Sequence, residues 1–177
     1  YILFIPMKIK IFCDSADFKI IKKLNVNPLV SGFTTNPSLM RISGAKNYKK
    51  YSLKLLKVCS KKPISLEVFA DTFDQMEKQA YKISSWGKNV YVKIPVINSR
   101  RNFSGKAIKT LCAKGIKLNI TAVYTVAQVR KILKTINKNS KVIISIFAGR
   151  MADAGKDPVP IVKDSVRLAK KFKNVEI

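Results

Sequence analysis

One lysine stands inside an apolar run that otherwise has the composition of a buried strand. Lys93 occupies the fifth place of residues 89–95, NVYVKIP. Lysines are rarely fully buried, and burial disfavours the charged form, which leaves a neutral and nucleophilic amine. Such an amine can form a Schiff base with a carbonyl substrate. The local pattern by itself favours a simpler interpretation, in which a lysine at a strand end reaches into water.

Polar or charged side chains also stand near the carboxyl end of every other predicted strand. In a (β/α)8 barrel, the catalytic groups come from the carboxyl ends of several strands. Any single strand end is often polar, but a set with an amine, two carboxylates and an arginine predicts a ring of groups around a pocket. Its members are Asp14, Asn36, Glu67, Lys93, Asn119 with Thr121, and Ser145 followed by Arg150.

The elements that must position these groups alternate between strands and helices. This alternation predicts parallel strands, in a barrel or a doubly wound sheet. No glycine-rich phosphate motif follows the first strand, which weakens a nucleotide-binding Rossmann interpretation. The strand-like runs are 9–13, 30–34, 64–69, 90–94, 116–121 and 142–147, and residues 174–177 resemble the opening of a seventh strand. The helix-like stretches are 17–24, 46–60, 72–85, 101–113, 125–136 and 161–172.

Six segments, in order along the chain, resemble those of the transaldolases, in the small class related to fructose-6-phosphate aldolase. The resemblance covers nearly the whole chain after Met7 and implies a (β/α)8 TIM-type barrel. The segments are 11–17 (IFCDSAD), 32–39 (GFTTNPSL), 65–68 (SLEV), 92–95 (VKIP), 119–121 (NIT) and 145–150 (SIFAGR).

The resemblance implies a role for each matching residue. Lys93 matches the lysine that forms an imine with the ketose, and Asp14 matches the acid/base that takes the C4 hydroxyl proton. Glu67 and Thr121 match the pair that holds a catalytic water. The remaining matches are substrate-binding residues: Asn36, Asn119 and Ser145 for the dihydroxyacetone portion, Phe147 beside them, and Arg150 for a phosphate.

Two positions bear on the choice between transferase and lyase. Glu67 stands where the aldolases have glutamine, and Phe147 stands where they have a tyrosine that helps to protonate the released carbanion. Both favour a transaldolase of the pentose phosphate pathway, which moves a three-carbon unit from sedoheptulose 7-phosphate to glyceraldehyde 3-phosphate. A fructose-6-phosphate aldolase-type lyase remains the alternative.

No cofactor or metal is implied, and the partners implied are sugar phosphates. The chain has no histidine, which excludes histidine-based triads and histidine-rich zinc sites. Its three cysteines are widely spaced and indicate reduced side chains in a cytoplasmic protein. The resemblance also implies a homo-oligomer in the full-length parent.

The length departs from the pattern of a complete barrel. A barrel of this type takes about 250 residues, whereas 177 residues provide about six βα units. We therefore expect one domain over 1–177 that is incomplete at its carboxyl end, with residues 1–6 upstream of a natural start at Met7. Residues 1–6 are too short to be a signal peptide or membrane anchor. Such a fragment is expected to be poorly soluble or inactive.

The net charge of +25 would ordinarily suggest nucleic acid. The excess is lysine, with only six arginines, and it is spread over all the predicted helices. This distribution favours a solvated surface over a specific nucleic-acid site. A non-catalytic, polyanion-binding fragment is kept as a further alternative.

Overall fold

In the computed structural model, strands and helices alternate along the described residues, 10–177. The expected upstream segment 1–6 and the first residue of the expected strand 9–13 lie outside this range. The chain divides into two compact units, Tyr1–Ile64 and Ser65–Ile177, and the boundary falls inside one strand, Ile64–Glu67. The expectation of a single domain stays a prediction.

The first unit carries two parallel strands and three helices before the boundary strand. Residue pairing sets Asp14 opposite Thr34 at the carboxyl ends of both strands. The elements are β1 (Ile11–Asp14), α1 (Phe18–Asn25), β2 (Val30–Thr34), α2 (Pro37–Ile42), α3 (Tyr48–Val58) and the first residue of β3 (Ile64–Glu67).

A glycine lets the chain pack closely in this unit. A Cβ added at Gly32 would lie 2.4 Å from the Phe12 ring and 2.9 Å from Pro63, so position 32 has no room for a side chain. On the helical side, the Tyr51 hydroxyl donates to the carbonyl oxygen of Ala16 at 2.9 Å, which ties α3 to the segment that follows β1. This hydrogen bond holds α3 close to the carboxyl end of β1.

The second unit continues the alternation, and its strands are neighbours in chain order, from β3 to β7. The pairings β4–β5, β5–β6 and β6–β7 are all parallel. The further elements are α4 (Phe73–Ser84), β4 (Val90–Pro95), α5 (Gly105–Ala113), β5 (Leu118–Val123), α6 (Val126–Thr135), β6 (Val142–Ile146), α7 (Ala148–Asp153), α8 (Val159–Ala169) and β7 (Val175–Glu176).

Burial explains why these strands have almost unbroken apolar sequences. Strands covered on both faces have no solvated side to make polar. Val92, Ile94, Leu118, Ile120 and Ile144 are all fully buried. Any polar residue inside such a strand must therefore find a partner or serve another purpose.

The sequence prediction missed two short helices, α2 and α7. Each has only six residues, too few for an apolar period to emerge. The first nevertheless carries a recognisable signal, because Asn36 accepts a hydrogen bond from Leu39 N at 2.8 Å and Pro37 occupies the first turn. The predicted seventh strand is confirmed as β7.

The helix expected over 101–113 begins later, at Gly105. Arg101 has a positive φ of 61°, and Ile97 pairs with Phe103 in an antiparallel bridge, so residues 98–104 form a turn. The Phe103 ring then occupies the space where a side chain at position 105 would lie, which explains the glycine there. The strand expected over 116–121 is shifted and runs from Leu118 to Val123.

The three cysteines are free thiols in different environments. Cys59 and Cys112 are fully buried, one in each unit, whereas Cys13 is partly exposed. Burial raises the pKa of the Cys59 thiol to about 11 and also raises the pKa of Cys112. Within residues 10–177, no helix is both long enough and apolar enough to cross a membrane.

Candidate active site

Lys93 is buried near the carboxyl end of β4, with 8% of its surface exposed. Its Nζ lies 3.5 Å from Oε2 of Glu67, the last residue of β3. The side chains of Lys93 and Glu67 are 10% and 21% exposed. Val68 N donates to the carbonyl oxygen of Lys93 at 3.1 Å, so the backbone itself keeps the two strand ends together. The amine and the carboxylate form the centre of the candidate site.

Asn119 lies directly across from Lys93 in the β4–β5 pairing and is 1% exposed. Its amide is held on both sides. Asn119 Nδ2 donates to Ser65 Oγ at 3.0 Å, and Asn119 Oδ1 accepts from Ser145 Oγ at 2.7 Å. A chain of three side chains therefore links β3, β5 and β6, and it fixes the asparagine in one orientation.

Thr121, two residues further along β5, is 2% exposed. Its Oγ1 is buried and has no hydrogen-bond partner among the described residues. Nearly all buried polar atoms in folded proteins have a partner, so an exception needs an explanation. An unsatisfied hydroxyl on the strand beside the lysine is suited to hold a substrate group or a water molecule.

Phe147 follows β6, and its backbone N–H donates to the carbonyl oxygen of Val123 at 2.9 Å. The Phe147 ring meets the Tyr124 ring edge to face, with centroids 5.6 Å apart. Arg150 lies on α7 and is exposed, and its side chain makes no hydrogen bond or ion pair with another described residue. A guanidinium in this state can bind a phosphate.

Asp14 and Asn36 belong to the first unit, while the other seven predicted site residues belong to the second. Asp14 is exposed at the end of β1, and its Oδ1 accepts from Thr34 Oγ1 at 2.7 Å. Asn36 uses its Oδ1 to cap α2. Beside Asp14, burial and then the aspartate charge raise the pKa of the Cys13 thiol.

The described residues contain no group of three or more histidine, cysteine, aspartate or glutamate side chains that could hold a metal ion. The arrangement instead presents an amine, a carboxylate, a fixed amide and an unsatisfied hydroxyl on neighbouring strands. Covalent catalysis by an amine on a carbonyl compound needs a nucleophile of this type and groups that move protons around it.

The model of one protein family, described as "Transaldolase/Fructose-6-phosphate aldolase", matches residues 11–177. The chain belongs to this family. Family membership and the parallel alternation of strands and helices confirm the predicted fold class, that of the (β/α) TIM-type barrels.

Individual proteins that are similar to this chain support its membership of the family. It is 32% identical over 168 residues to a "Probable transaldolase" of Herpetosiphon aurantiacus, covering 95% of this chain and 70% of the relative. It is 34% identical to a "Probable transaldolase" of Streptococcus agalactiae, covering 88% and 67%. A "Probable transaldolase 2" of Listeria monocytogenes is also 34% identical, covering 88% and 66%. The chain thus spans about two thirds of the length of these relatives.

Three further residues contact predicted site residues but were not themselves predicted as site residues from the sequence. They are Ser65 beside Asn119, Thr34 beside Asp14, and Tyr124 beside Phe147. Ser65 and Thr34 contact partners on other strands, and the pairing of strands decides those contacts. Ser65 nonetheless carried a signal, because it stands two residues before Glu67 and therefore on the same face of β3.

The loops after β3 and β4 are joined by one carboxylate. Asp71 accepts from the backbone N–H of Ser99 at 2.7 Å and from its hydroxyl at 2.6 Å. These hydrogen bonds, the hydroxyl first, lower the pKa of Asp71, and the Arg100 charge acts in the same direction. The turn that follows the lysine strand is therefore anchored to its neighbour.

Proposed function

We propose that this protein transfers a dihydroxyacetone unit from a ketose phosphate to an aldose phosphate through a Schiff base on Lys93. The burial of that lysine beside Glu67 is the observation that carries the proposal. The family match and the relatives named probable transaldolases support the same reaction. The proposed setting is the pentose phosphate pathway in the cytoplasm.

In the proposed mechanism, the Lys93 amine attacks the ketose carbonyl, and the resulting adduct loses water to give an imine. The Glu67 carboxylate, 3.5 Å from Nζ, can accept the proton that the lysine must lose before it attacks. The imine then withdraws electrons as the C3–C4 bond breaks.

Proton transfer is assigned to three groups. Asp14 takes the proton from the C4 hydroxyl during cleavage and returns it during condensation. Glu67 and Thr121 hold the water that shuttles protons at the imine, and the unsatisfied hydroxyl of Thr121 supports this assignment.

Substrate binding is assigned to the remaining residues. Asn119, Ser145 and Asn36 hydrogen-bond the dihydroxyacetone portion, and Phe147 lies beside it. Arg150 binds the phosphate, an assignment that its exposed guanidinium supports. Glu67 and Phe147 together favour transfer to an acceptor over release of the three-carbon unit.

Reductive trapping tests the Schiff base. The protein is incubated with fructose 6-phosphate and borohydride, and the modified peptide is identified by mass spectrometry. We expect a dihydroxyacetone-sized adduct on Lys93 that is absent in K93R, which keeps a cation beside Glu67. K106R is the matched control, because Lys106 is exposed and should leave the adduct unchanged. A folded protein that gives no adduct would contradict the proposal and favour the non-catalytic, polyanion-binding alternative.

The requirement for an acceptor separates transferase from lyase. We expect no free dihydroxyacetone from fructose 6-phosphate alone, and turnover once an aldose phosphate is added. Steady release of dihydroxyacetone without an acceptor would instead identify a fructose-6-phosphate aldolase-type lyase.

A further inference from the structure

Ala122, on the strand that carries Asn119 and Thr121, has a left-handed backbone with φ of 58°. Among the described residues, Ala122 and Arg101 alone adopt a positive φ without being glycine. The left-handed conformation is unfavourable for alanine, because it brings the Cβ atom too close to the following carbonyl oxygen. Such strain persists only where the surrounding structure imposes it, and it is concentrated at functional sites.

The surrounding structure here is a β-bulge. Ile120 pairs with Ile144, and Val123 then pairs with Ile146 after a shift in register, so β5 holds one residue more than β6 over this interval. An extra residue bends its strand and re-aims the neighbouring side chains. Ala122 lies inside that interval and absorbs the extra length.

Hydrogen bonds on both sides hold the bulge in place. Val96 N donates to the carbonyl oxygen of Thr121 at 2.9 Å, on the side of β4. Phe147 N donates to the carbonyl oxygen of Val123 at 2.9 Å, on the side of β6. The carbonyl groups on both sides of Ala122 are therefore fixed, and Ala122 adopts the left-handed conformation that accommodates the extra residue of the bulge.

The bulge interrupts the alternation of side chains after Thr121. In a regular strand, residues two apart share a face, so an extra residue shifts the side chains that follow it relative to the neighbouring strand. Beyond the bulge, Val123 is fully buried and Tyr124 meets the Phe147 ring. The Gln128 side chain accepts from Tyr124 N at 2.8 Å and fixes the far end of the bulge.

We propose that Ala122 is a positioning residue, whose left-handed backbone sets the Thr121 hydroxyl for proton transfer. This inference rests on the proposed Schiff-base function. Ala122 itself is expected to touch no reacting atom, so its effect on the reaction passes through Thr121.

Substitutions graded by their tolerance of a positive φ test this role. Glycine and asparagine accept the left-handed region, whereas a β-branched valine does not. We expect A122G and A122N to keep kcat within about twofold, and A122V to lose about tenfold or more in kcat with KM little changed, since positioned proton transfer contributes about a hundredfold or more to rate. Asparagine and valine are similar in size, which separates backbone conformation from crowding. A127V, at an exposed helical alanine nearby, controls for the substitution itself.

A double-mutant cycle with T121V shows whether Ala122 acts through Thr121. If it does, adding A122V to T121V changes kcat by less than about twofold, because the effects of coupled residues do not add. Equal kcat in A122V and wild type, or full additivity with T121V, would overturn the inference. Should A122V not fold, A122L replaces it, since leucine lacks the β-branch but still disfavours a positive φ.

Borohydride trapping on Lys93 distinguishes a failure of the proposed Schiff-base function from a failure of the proposed role of Ala122. A wild-type protein that forms the adduct while A122V turns over normally overturns only the role of Ala122. A wild-type protein without the adduct overturns the proposed function and this inference with it.

Discussion

Two lysine–carboxylate pairs in the second unit differ in burial far more than in distance. Lys93 and Glu67 lie 3.5 Å apart with side chains 10% and 21% exposed. Lys106 and Asp74 are closer, at 3.2 Å, but their side chains are 71% and 75% exposed. Water screens the shorter pair, which joins α5 to α4, while the longer pair is shielded from water at the ends of two strands. Burial, and not proximity, thus distinguishes a candidate catalytic pair from a surface contact.

The largest contrast should come from removing each lysine in turn. We expect K93M to abolish Schiff-base formation and to lower the free energy of unfolding by about 1–3 kcal/mol, less than the about 3–5 kcal/mol typical of a broken, fully buried pair. K106M should change stability by less than about 0.5 kcal/mol and leave turnover unchanged. Borohydride trapping and urea denaturation measure the two effects. Similar losses in both variants would show that burial does not separate the pairs.

The hydrogen-bonded amide beside Lys93 gives the next largest effect. N119A removes the donor to Ser65 and the acceptor of Ser145 in a buried place, which should cost about 1–3 kcal/mol of unfolding free energy. T34A removes one hydrogen bond to exposed Asp14 and should cost less than about 1 kcal/mol. Thermal unfolding of both variants provides the comparison, and an equal or larger loss in T34A would contradict it.

Thr121 should separate stability from turnover. T121V replaces a buried hydroxyl that has no partner among the described residues by a methyl group of similar size, so we expect the free energy of unfolding to change by less than about 1 kcal/mol. Turnover should fall in the same variant, because the proposed water loses one of its two ligands. A variant of nearly unchanged stability that turns over more slowly is the expected result, and a fully active variant would refute the role of Thr121.

The smallest effect concerns the exposed carboxylate of Asp71. Its pKa is lowered in the folded state, so its contribution to stability is present above the ordinary value of 3.8 and is lost as the pH falls through the lower, folded value. S99A removes the hydroxyl hydrogen bond, which lowers the pKa of Asp71 more than the backbone hydrogen bond does. The substitution should therefore raise this pKa towards its ordinary value. NMR titration of the Asp71 carboxyl carbon measures the change, and an identical titration in S99A would exclude Ser99 as the cause.

The sequence predicted the strands well, because burial on both faces leaves long apolar runs between polar ends. Residues 30–34 match β2 without error, and the carboxyl ends of the other predicted strands lie within two residues of those observed. Helix starts were less accurate. The beginning of α5 depends on the contact between Ile97 and Phe103, which no helical period reveals.

The candidate site was predictable in its residues but not in its connections. Lys93 could be singled out because a charged residue interrupts an apolar strand. The contact of Ser65 with Asn119 depends on how β3 and β5 are placed, which the spacing within one strand does not contain. The bulge at Ala122 left no signal either, since a glycine or asparagine there would have suggested a left-handed residue and an alanine does not.

The two buried thiols, Cys59 and Cys112, can report when the side chains around them separate. Burial raises the pKa of the Cys59 thiol to about 11, so little of the reactive thiolate is present at neutral pH, and an alkylating agent cannot reach the side chain while its surroundings stay packed. Cys112 is enclosed in the same way within the other unit. Timed alkylation followed by peptide mapping would therefore measure the rate at which each of the two thiols becomes accessible, one in each unit. The experiment needs no substitution in the sequence and no attached probe.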